Sequence, residues 1–141
     1  MEDKEVRSGR CLCGGIRVTV TKPLDGFGLC HCAMCRRWTG GPFFAVGCET
    51  DISFEGAQNI EHYRSSDWAE RGFCRTCGTH LYYREVSNGH VHLSLGVLDE
   101  TADLEMKSQI FIDEKPAHYD FSNQTTNMTG EEVFALFAPE D

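Results

Sequence analysis

The sequence lacks any uninterrupted apolar run of about 18 residues, the length that a membrane-spanning helix needs. Its first ten residues, MEDKEVRSGR, also lack the apolar stretch of a signal peptide. We therefore expect a cytosolic protein without a membrane partner. Basic residues are few, with 13 Lys and Arg against 22 Asp and Glu, and the net charge is -9. Because such a chain repels phosphates, we expect no nucleic-acid partner.

Cysteine, in contrast, is abundant, with eight residues in a chain of 141. A disulfide framework is typical of shorter, secreted chains, whereas clustered thiols in a reducing compartment more often bind metal. Seven of the cysteines fall into three short segments, Cys11-Leu12-Cys13, Cys30-His31-Cys32-Ala33-Met34-Cys35 and Cys74-Arg75-Thr76-Cys77. The sequence therefore predicts metal ligation rather than disulfides.

The length fits one domain over residues 10–141, preceded by a flexible lead-in over residues 1–9. Alternating or short apolar runs predict strands over residues 16–20, 43–46, 52–54, 81–83 and 91–95. Only the C-terminus carries a helix-start signal, because Thr129 and Glu132 have the spacing of a capping box, and Val133, Phe134 and Phe137 can cover one face behind it. The Asp113 to Pro116 stretch is typical of a solvated turn. We therefore expect a mainly antiparallel β protein with long loops.

Four of the cysteines form two short pairs, each of which supplies only two of the four ligands that a closed metal site requires. Cys74 and Cys77 have the spacing of a zinc knuckle, and Gly78 can take the positive φ that turns backbone amides toward the sulfurs. Neither this pair nor Cys11 and Cys13 can close a tetrahedron alone, and both pairs are followed directly by glycine. We therefore predict one closed, structural site with four thiolate ligands.

The remaining segment supplies three sulfurs, from Cys30, Cys32 and Cys35. Three protein ligands and one vacant position are typical of a catalytic zinc, and the vacant position would favour a soft thiolate. Arg36 and Arg37 follow directly and could offset the thiolate charge or bind a substrate carboxylate.

The alternative is that Cys48 or His31 completes a second closed site. Cys48 ends an apolar run, which favours a buried and inert thiol. His31 lies between two ligands, and its side chain should point away from their metal ion.

Other side chains near these segments have both a functional and a structural interpretation. His80 could carry a proton, although a hydrogen-bonded neighbour of the knuckle is the commoner role. His90 and His92 could chelate a metal or lie on a solvated strand face. The aromatic residues Trp38, Phe43 and Phe44 could line a pocket but favour the core.

At these residues the sequence resembles the glutathione-dependent formaldehyde-activating family, also called the centromere-protein-V-like family. The resemblance covers most of the chain, in the segments GRCLCGGIRV, CHCAMCRRWTGGPF, HYRSSDWAERGFCRTCGTHLYY, VHLSLGVLD and IFIDEKPAHYDF. It implies a β-tent, in which antiparallel sheets fold around a structural zinc ion. The strand predictions agree with this fold class.

Carried over by position, the resemblance implies two zinc ions with unequal roles. It places the structural ion on Cys11, Cys13, Cys74 and Cys77. It places the catalytic ion on Cys30, Cys32 and Cys35, and this second ion need not be at full occupancy in a purified sample.

The activity that the resemblance implies is that of a carbon-sulfur lyase, which condenses glutathione with formaldehyde to S-(hydroxymethyl)glutathione. The expected partners are thus a thiol such as glutathione and a small aldehyde whose carbonyl carbon the sulfur attacks. No dedicated general base is evident. The alternative is a non-catalytic, zinc-stabilised binding or scaffold module. A zinc hydrolase is disfavoured because the sequence lacks an HExxH motif.

Overall fold

A computed structural model describes residues 6–136 of the chain. The described residues form eleven strands and two short helices, so the predicted mainly β fold is confirmed. The strands are β1 Arg7–Arg10, β2 Arg17–Val20, β3 Gly26–Cys30, β4 Phe43–Glu49, β5 Ile52–Glu55, β6 Ile60–Arg64, β7 Ala69–Cys74, β8 His80–Glu85, β9 Val91–Ser94, β10 Glu105–Ile110 and β11 Thr126–Met128. The helices are α1 Ala33–Thr39 and α2 Gly130–Leu136. Within this range, neither is long and apolar enough to cross a bilayer.

The chain divides into two compact units, and each unit combines two separate segments. The first unit contains the residues up to Asp25 together with Ala45–Leu104. The second contains Gly26–Phe44 and the residues from Glu105 onward. The single domain predicted over residues 10–141 stays a prediction.

The first unit contains a three-stranded antiparallel sheet in the order β1-β2-β5. The alternation in the sequence explains it, because Ile16, Val18 and Val20 are all buried, as predicted. Strand β1 begins at Arg7, inside the predicted lead-in over residues 1–9, and residues 7–9 pair with β2. Gly9 sits so close to the Val97 carbonyl that a Cβ would lie 2.1 Å from its oxygen, so this position requires glycine.

The first unit also contains an antiparallel series of strands. The part of β4 from Ala45 onward pairs with β9, and β8, β7 and β6 follow in that order. Leu81, Tyr82 and Leu93 are buried in this layer. Cys74 is the last residue of β7, so the knuckle predicted from the sequence begins where a strand ends.

The second unit differs from the antiparallel expectation. Strand β10 pairs in parallel with both β3 and β11. Parallel strands need crossover connections rather than tight hairpins, and the segment between β10 and β11 supplies a long one.

Helix α1 follows β3 directly, and the sequence analysis did not predict it. Its N-cap is Cys32, whose Sγ accepts a hydrogen bond from the backbone N–H of Cys35. Its C-cap is Gly40, in the left-handed conformation with φ 87°. The Gly40-Gly41 pair is a signal for the end of a helix. The start carries no such signal, because cysteine is not among the usual N-cap residues. The helix carries the third cysteine of the three-cysteine segment.

Helix α2 begins with the predicted capping box. The Thr129 N–H donates to Glu132 Oε1 at 2.7 Å, and the Glu132 N–H donates to Thr129 Oγ1 at 3.2 Å. Val133 is buried, but Phe134 is 56% exposed, and its ring contacts that of Phe111. The predicted apolar face is therefore wrong for Phe134, and Phe137 lies outside the described residues.

The Asp113 to Pro116 stretch continues a short 3₁₀ turn, Ile112–Glu114, with Asp113 exposed, in agreement with the predicted turn. Its carboxylates also make contacts that the sequence did not predict. Asp113 Oδ1 accepts from the backbone N–H of Gly130, and Glu114 Oε1 accepts from that of Ala33. These are the first residues of α2 and α1. Two adjacent carboxylates therefore each bind the first backbone N–H of a helix, where an acidic group is stabilising.

Candidate metal centres

The first cysteine cluster brings together the two pairs that the sequence predicts to act as one. The Sγ atoms of its four members all lie within 4.8 Å of one another. Cys11 and Cys13 are 3.6 Å apart at sulfur, and Cys13 and Cys74 are 3.8 Å apart. We call this set the four-cysteine cluster; it consists of Cys11, Cys13, Cys74 and Cys77.

Glycine turns shape both halves of the four-cysteine cluster. Gly14 and Gly78 each have φ of +79°, and their N–H groups donate to the carbonyls of Cys11 and Cys74. The positive φ predicted for Gly78 is thus confirmed. Thr79 links the halves, because its Oγ1 accepts from the Leu12 N–H and lies 3.1 Å from the Cys77 sulfur. No local pattern indicated Thr79, whose role depends on the fold.

The pKa shifts of the thiols in the four-cysteine cluster are consistent with a cation-binding site. Burial acts to raise the pKa of Cys77, but hydrogen bonds involving Thr79 outweigh it and hold that pKa at about 5. The Gly15 N–H acts to lower the pKa of Cys13, yet the neighbouring sulfurs, Cys11 foremost, raise it to about 11. Sulfurs this close share their protons because several thiolates repel one another. A bound cation would relieve that repulsion.

The sulfur spacing also fits the metal that the resemblance implies. A tetrahedral zinc site with Zn–S bonds of about 2.3 Å has sulfurs roughly 3.8 Å apart. The observed spacings of 3.6 and 3.8 Å match that value. The four sulfurs therefore suit a closed zinc site, which is the structural kind.

The second cluster, which we call the three-cysteine cluster, lies in the other unit and consists of Cys30, Cys32 and Cys35. Its Sγ atoms also lie within 4.8 Å of one another. Cys30 ends β3, Cys32 caps α1, and Cys35 is buried in the first turn of that helix. Neither a histidine nor a carboxylate joins this group among residues 6–136. The donor set fits a metal ion with three protein ligands, which leaves a fourth position for another molecule.

The sulfurs of the three-cysteine cluster differ in their protonation. The hydrogen bond with Cys32 raises the pKa of Cys30. The same hydrogen bond lowers the pKa of Cys32. The Cys35 side chain and the backbone N–H groups of Cys35 and Met34 lower it further. The backbone hydrogen bonds therefore favour the thiolate form at Cys32 more than at Cys30.

His31 lies between two of these cysteines but does not join them. Its side chain is fully buried, and Nε2 lies 2.8 Å from Oε1 of Gln109. Burial lowers the pKa of His31, and the hydrogen bond to Gln109 opposes that effect. The prediction that this side chain points away from the shared metal agrees with its contact to β10.

A basic cleft opens on helix α1, which carries Cys35. The cleft has a volume of about 440 Å³ and is lined by Arg36, Arg37, His118 and Tyr119, with small residues between them. No acidic side chain is among its lining residues in the part of the chain that the structure describes. In a protein with a net charge of -9, this local excess of cationic groups favours an anionic ligand.

The far wall of the basic cleft is a loop fixed by a half-buried lysine. Lys115 Nζ donates to the Pro116 and Tyr119 carbonyls and pairs with Asp120 at 2.9 Å. The Tyr119 hydroxyl is buried and has no hydrogen-bond partner in the described residues. A buried hydroxyl without a partner is uncommon, but this one is closed off from solvent and so is not exposed to a ligand in the cleft. His118 and Tyr119 carry no functional signal in the sequence, because only the fold brings them to α1.

Cys48 has the inert role that the sequence favoured. It is fully buried in β4, and its sulfur lies 3.5 Å from the carbonyl oxygen of Val46 in the same strand. Burial raises the pKa of the Cys48 thiol to about 11, so it stays protonated at neutral pH.

In the described part of the chain, the histidines of the first unit belong to no metal-ligand group. His92 Nε2 lies 2.7 Å from Glu85 Oε2, and neither His90 nor His92 belongs to a metal-ligand group among the described residues. His80 begins β8, and burial, followed by the charge of Arg71, lowers its pKa. A proton-carrying role for His80 stays a prediction.

The aromatic residues after the three-cysteine cluster pack against one another. The Trp38 ring contacts Phe43, which is buried, and Phe44 contacts Phe27 and Phe121. This packing supports the core interpretation of Trp38, Phe43 and Phe44.

Comparisons with known proteins cover both clusters. The chain matches the family described as "Glutathione-dependent formaldehyde-activating enzyme" over residues 6–114, which include all seven clustered cysteines. An uncharacterized lyase of Schizosaccharomyces pombe is 34% identical over 126 residues, which are 89% of this chain and 92% of that protein. A candidate glutathione-dependent formaldehyde-activating enzyme of Halomonas elongata is 30% identical over 83 residues, 52% of this chain and 53% of that one. The crystal structure of a Rhodobacter sphaeroides protein superimposes with a TM-score of 0.56 and 25% identity, over 71% of this chain and 99% of that one.

Proposed function

Because the chain belongs to the glutathione-dependent formaldehyde-activating enzyme family, we propose that it is a zinc-dependent carbon-sulfur lyase of thiol-aldehyde adducts. Its substrates would be a carboxylate-bearing thiol such as glutathione and a small aldehyde such as formaldehyde. The names of the two relatives, a lyase and a candidate formaldehyde-activating enzyme, support this reaction class.

The observation that carries the proposal is the inequality of the two cysteine clusters. The four-cysteine cluster offers a complete tetrahedron, whereas the three-cysteine cluster offers three sulfurs. We propose a structural zinc ion at the first and a catalytic zinc ion at the second, on Cys30, Cys32 and Cys35. A zinc ion held there would act as a Lewis acid and favour the thiolate form of a bound thiol.

The basic cleft supplies what a catalytic zinc site alone does not, namely recognition of the rest of the substrate. Arg36 is half-buried, and its Nε donates to the His31 carbonyl at 2.9 Å, which fixes the direction of its guanidinium. Its remaining N–H groups and those of Arg37 suit a carboxylate. His118, which is exposed, can donate from the opposite wall. In this role the cleft orients a thiol that carries a carboxylate.

The reaction itself asks little more of the chain. A new bond forms between sulfur and the carbonyl carbon, the π electrons pass to oxygen, and oxygen takes up the proton that the thiol has lost. The reverse reaction breaks the same bond and releases both substrates. Every atom is conserved and no oxidant or reductant is needed. The contribution of the protein is therefore to orient the thiol and to stabilise its anionic form.

Exchange spectroscopy tests the proposal. The protein is added to an equilibrium mixture of glutathione and formaldehyde, and the interconversion of free and hydroxymethylated thiol is followed by NMR. The wild type should accelerate the exchange, and Cys32→Ser should not. Exchange that is equally fast with and without the wild-type protein would favour the alternative function, a zinc-stabilised binding module.

A further inference from the structure

Buried polar side chains are rare in this protein, and two of them meet behind the three-cysteine cluster. In the described residues only three polar or charged side chains are buried: His31, Arg71 and Gln109. His31 is 0% exposed and Gln109 is 5% exposed, and they hydrogen-bond each other at 2.8 Å. Burial of polar groups is unfavourable unless they are paired, so this pair requires a precise arrangement.

Three groups of His31 anchor the segment: its backbone N–H, its carbonyl and its ring Nε2. Its backbone N–H donates to the Ile110 carbonyl at 3.1 Å, and its carbonyl accepts from Arg36 Nε at 2.9 Å. Its ring reaches Gln109, the neighbour of Ile110 on β10. One residue between two cysteine ligands is thus tied to a parallel strand twice and to helix α1 once.

The hydrogen bonds beyond Gln109 fix its orientation. Its Nε2 donates to Thr125 Oγ1 at 3.0 Å, and Thr125 Oγ1 donates to Asn127 Oδ1 at 2.6 Å. The amide oxygen of Gln109 therefore faces His31 and accepts from the Nε2–H group. His31 Nδ1, which has no partner in the described residues, then carries the lone pair rather than the proton.

We propose that His31 and Gln109 form a positioning pair, which holds the backbone between Cys30 and Cys32 so that their sulfurs and that of Cys35 share one metal ion. In extended chain, successive side chains point to opposite sides, so an anchor on His31 acts from behind the two sulfurs. A small rotation of this segment would separate the sulfurs. The inference builds on the proposed function only in taking the three-cysteine cluster as a metal site.

Metal binding by matched variants tests the pair. Gln109→Met keeps the length of the side chain but removes the acceptor for His31. Thr125→Val is the graded comparison, since it removes the two hydrogen bonds of Thr125 that orient the Gln109 amide but leaves the bond between Gln109 and His31. Gln109→Glu retains an oxygen toward His31. Each protein is stripped of metal and titrated with Co²⁺, and zinc release to a chelator is measured. Cys32→Ser identifies the signal of the four-cysteine cluster alone.

We expect Gln109→Met to weaken binding at the three-cysteine cluster at least about tenfold, as loss of a supporting hydrogen bond commonly does at metal sites. It should also shift the visible Co²⁺ bands of that cluster. Thr125→Val should weaken binding less than Gln109→Met does, because the bond between Gln109 and His31 can still form, and Gln109→Glu should retain most of the affinity. If Gln109→Met does not fold, His31→Phe breaks the same hydrogen bond from the other side and should give the same result.

Equal losses of thermal stability in Gln109→Met and Thr125→Val, with wild-type metal affinity in both, would overturn the proposal. A wild-type protein that binds no Co²⁺ at the three-cysteine cluster would overturn it as well. Metal binding without any acceleration of glutathione-formaldehyde exchange would instead contradict the proposed function and leave the positioning pair intact.

Discussion

Replacing Arg36 with Gln removes one positive charge from the basic cleft and leaves the cysteines in place. Arg36 lines the cleft from helix α1, one residue after Cys35, and is half-buried. If the cleft binds the carboxylate of the thiol substrate, the variant should bind glutathione more weakly. A neutral thiol such as 2-mercaptoethanol has no carboxylate to lose, so its reaction should change little.

The exposure of the two arginines sets the expected size of the effect. A hydrogen bond to a charged group at a partly buried site contributes about 1.5–3 kcal/mol, so Arg36→Gln should raise KM for glutathione roughly 10- to 150-fold. Arg37 is exposed, and exposed ion pairs contribute only about 0.2–1 kcal/mol. Arg37→Gln should therefore raise KM no more than about fivefold. We therefore also predict that Arg36→Gln raises KM for glutathione more than Arg37→Gln does.

The assay is NMR exchange at a series of thiol concentrations, with formaldehyde held constant. Arg75→Gln is the matched control, because Arg75 is an exposed arginine in the first unit that pairs with Glu61 at 3.4 Å. It should leave KM unchanged. Raising the salt concentration should weaken glutathione binding by the wild type more than by Arg36→Gln.

Two results would refute the reasoning about the basic cleft. Equal loss of activity toward glutathione and 2-mercaptoethanol in Arg36→Gln would mean that the variant disturbs the cysteine cluster through His31 instead of a carboxylate contact. An unchanged KM for glutathione in both arginine variants would show that the substrate carboxylates lie elsewhere.

Three further predictions concern stability and thiol reactivity. Gly72→Ala places a Cβ 2.6 Å from the Tyr82 ring and should lower the free energy of unfolding by about 1–3 kcal/mol in urea titrations, whereas Gly47→Ala meets nothing within 4 Å and should not. Thr129→Ala removes the capping box of α2 and should cost about 1 kcal/mol by the same measurement; no change would argue against the cap. Cys48→Ala should retain the full metal content, and loss of one metal ion would restore Cys48 as a ligand.

The ligand pairing at the four-cysteine cluster was predictable from the sequence because it follows from counting. Two pairs that cannot close a tetrahedron alone have to share an ion, and the glycine after each pair marks a tight turn. The structure brings Cys11, Cys13, Cys74 and Cys77 together as that argument requires. The strand over residues 16–20 was predictable for a similar reason, since its alternation is local and one face is buried.

The features that were missed depend on contacts between distant residues. Strands β3 and β10 carry no clear alternation, and their parallel pairing is a property of the fold. Helix α1 is only seven residues long and has a cysteine as its N-cap, so neither length nor cap type indicated it. The basic cleft is lined by Arg36 and His118, which lie far apart in the sequence. For the same reason, nothing local indicated that Gln109 would support His31.

The unequal roles of the two cysteine clusters are tested most directly by counting metal in purified protein. The wild type is purified without added metal, and zinc is then added to saturation. It should contain two zinc ions per chain. Cys32→Ser should contain one zinc ion and melt at nearly the same temperature as the wild type. Cys74→Ser should unfold. A Cys32→Ser protein that unfolds as completely as Cys74→Ser would show that both ions are structural and would contradict the account.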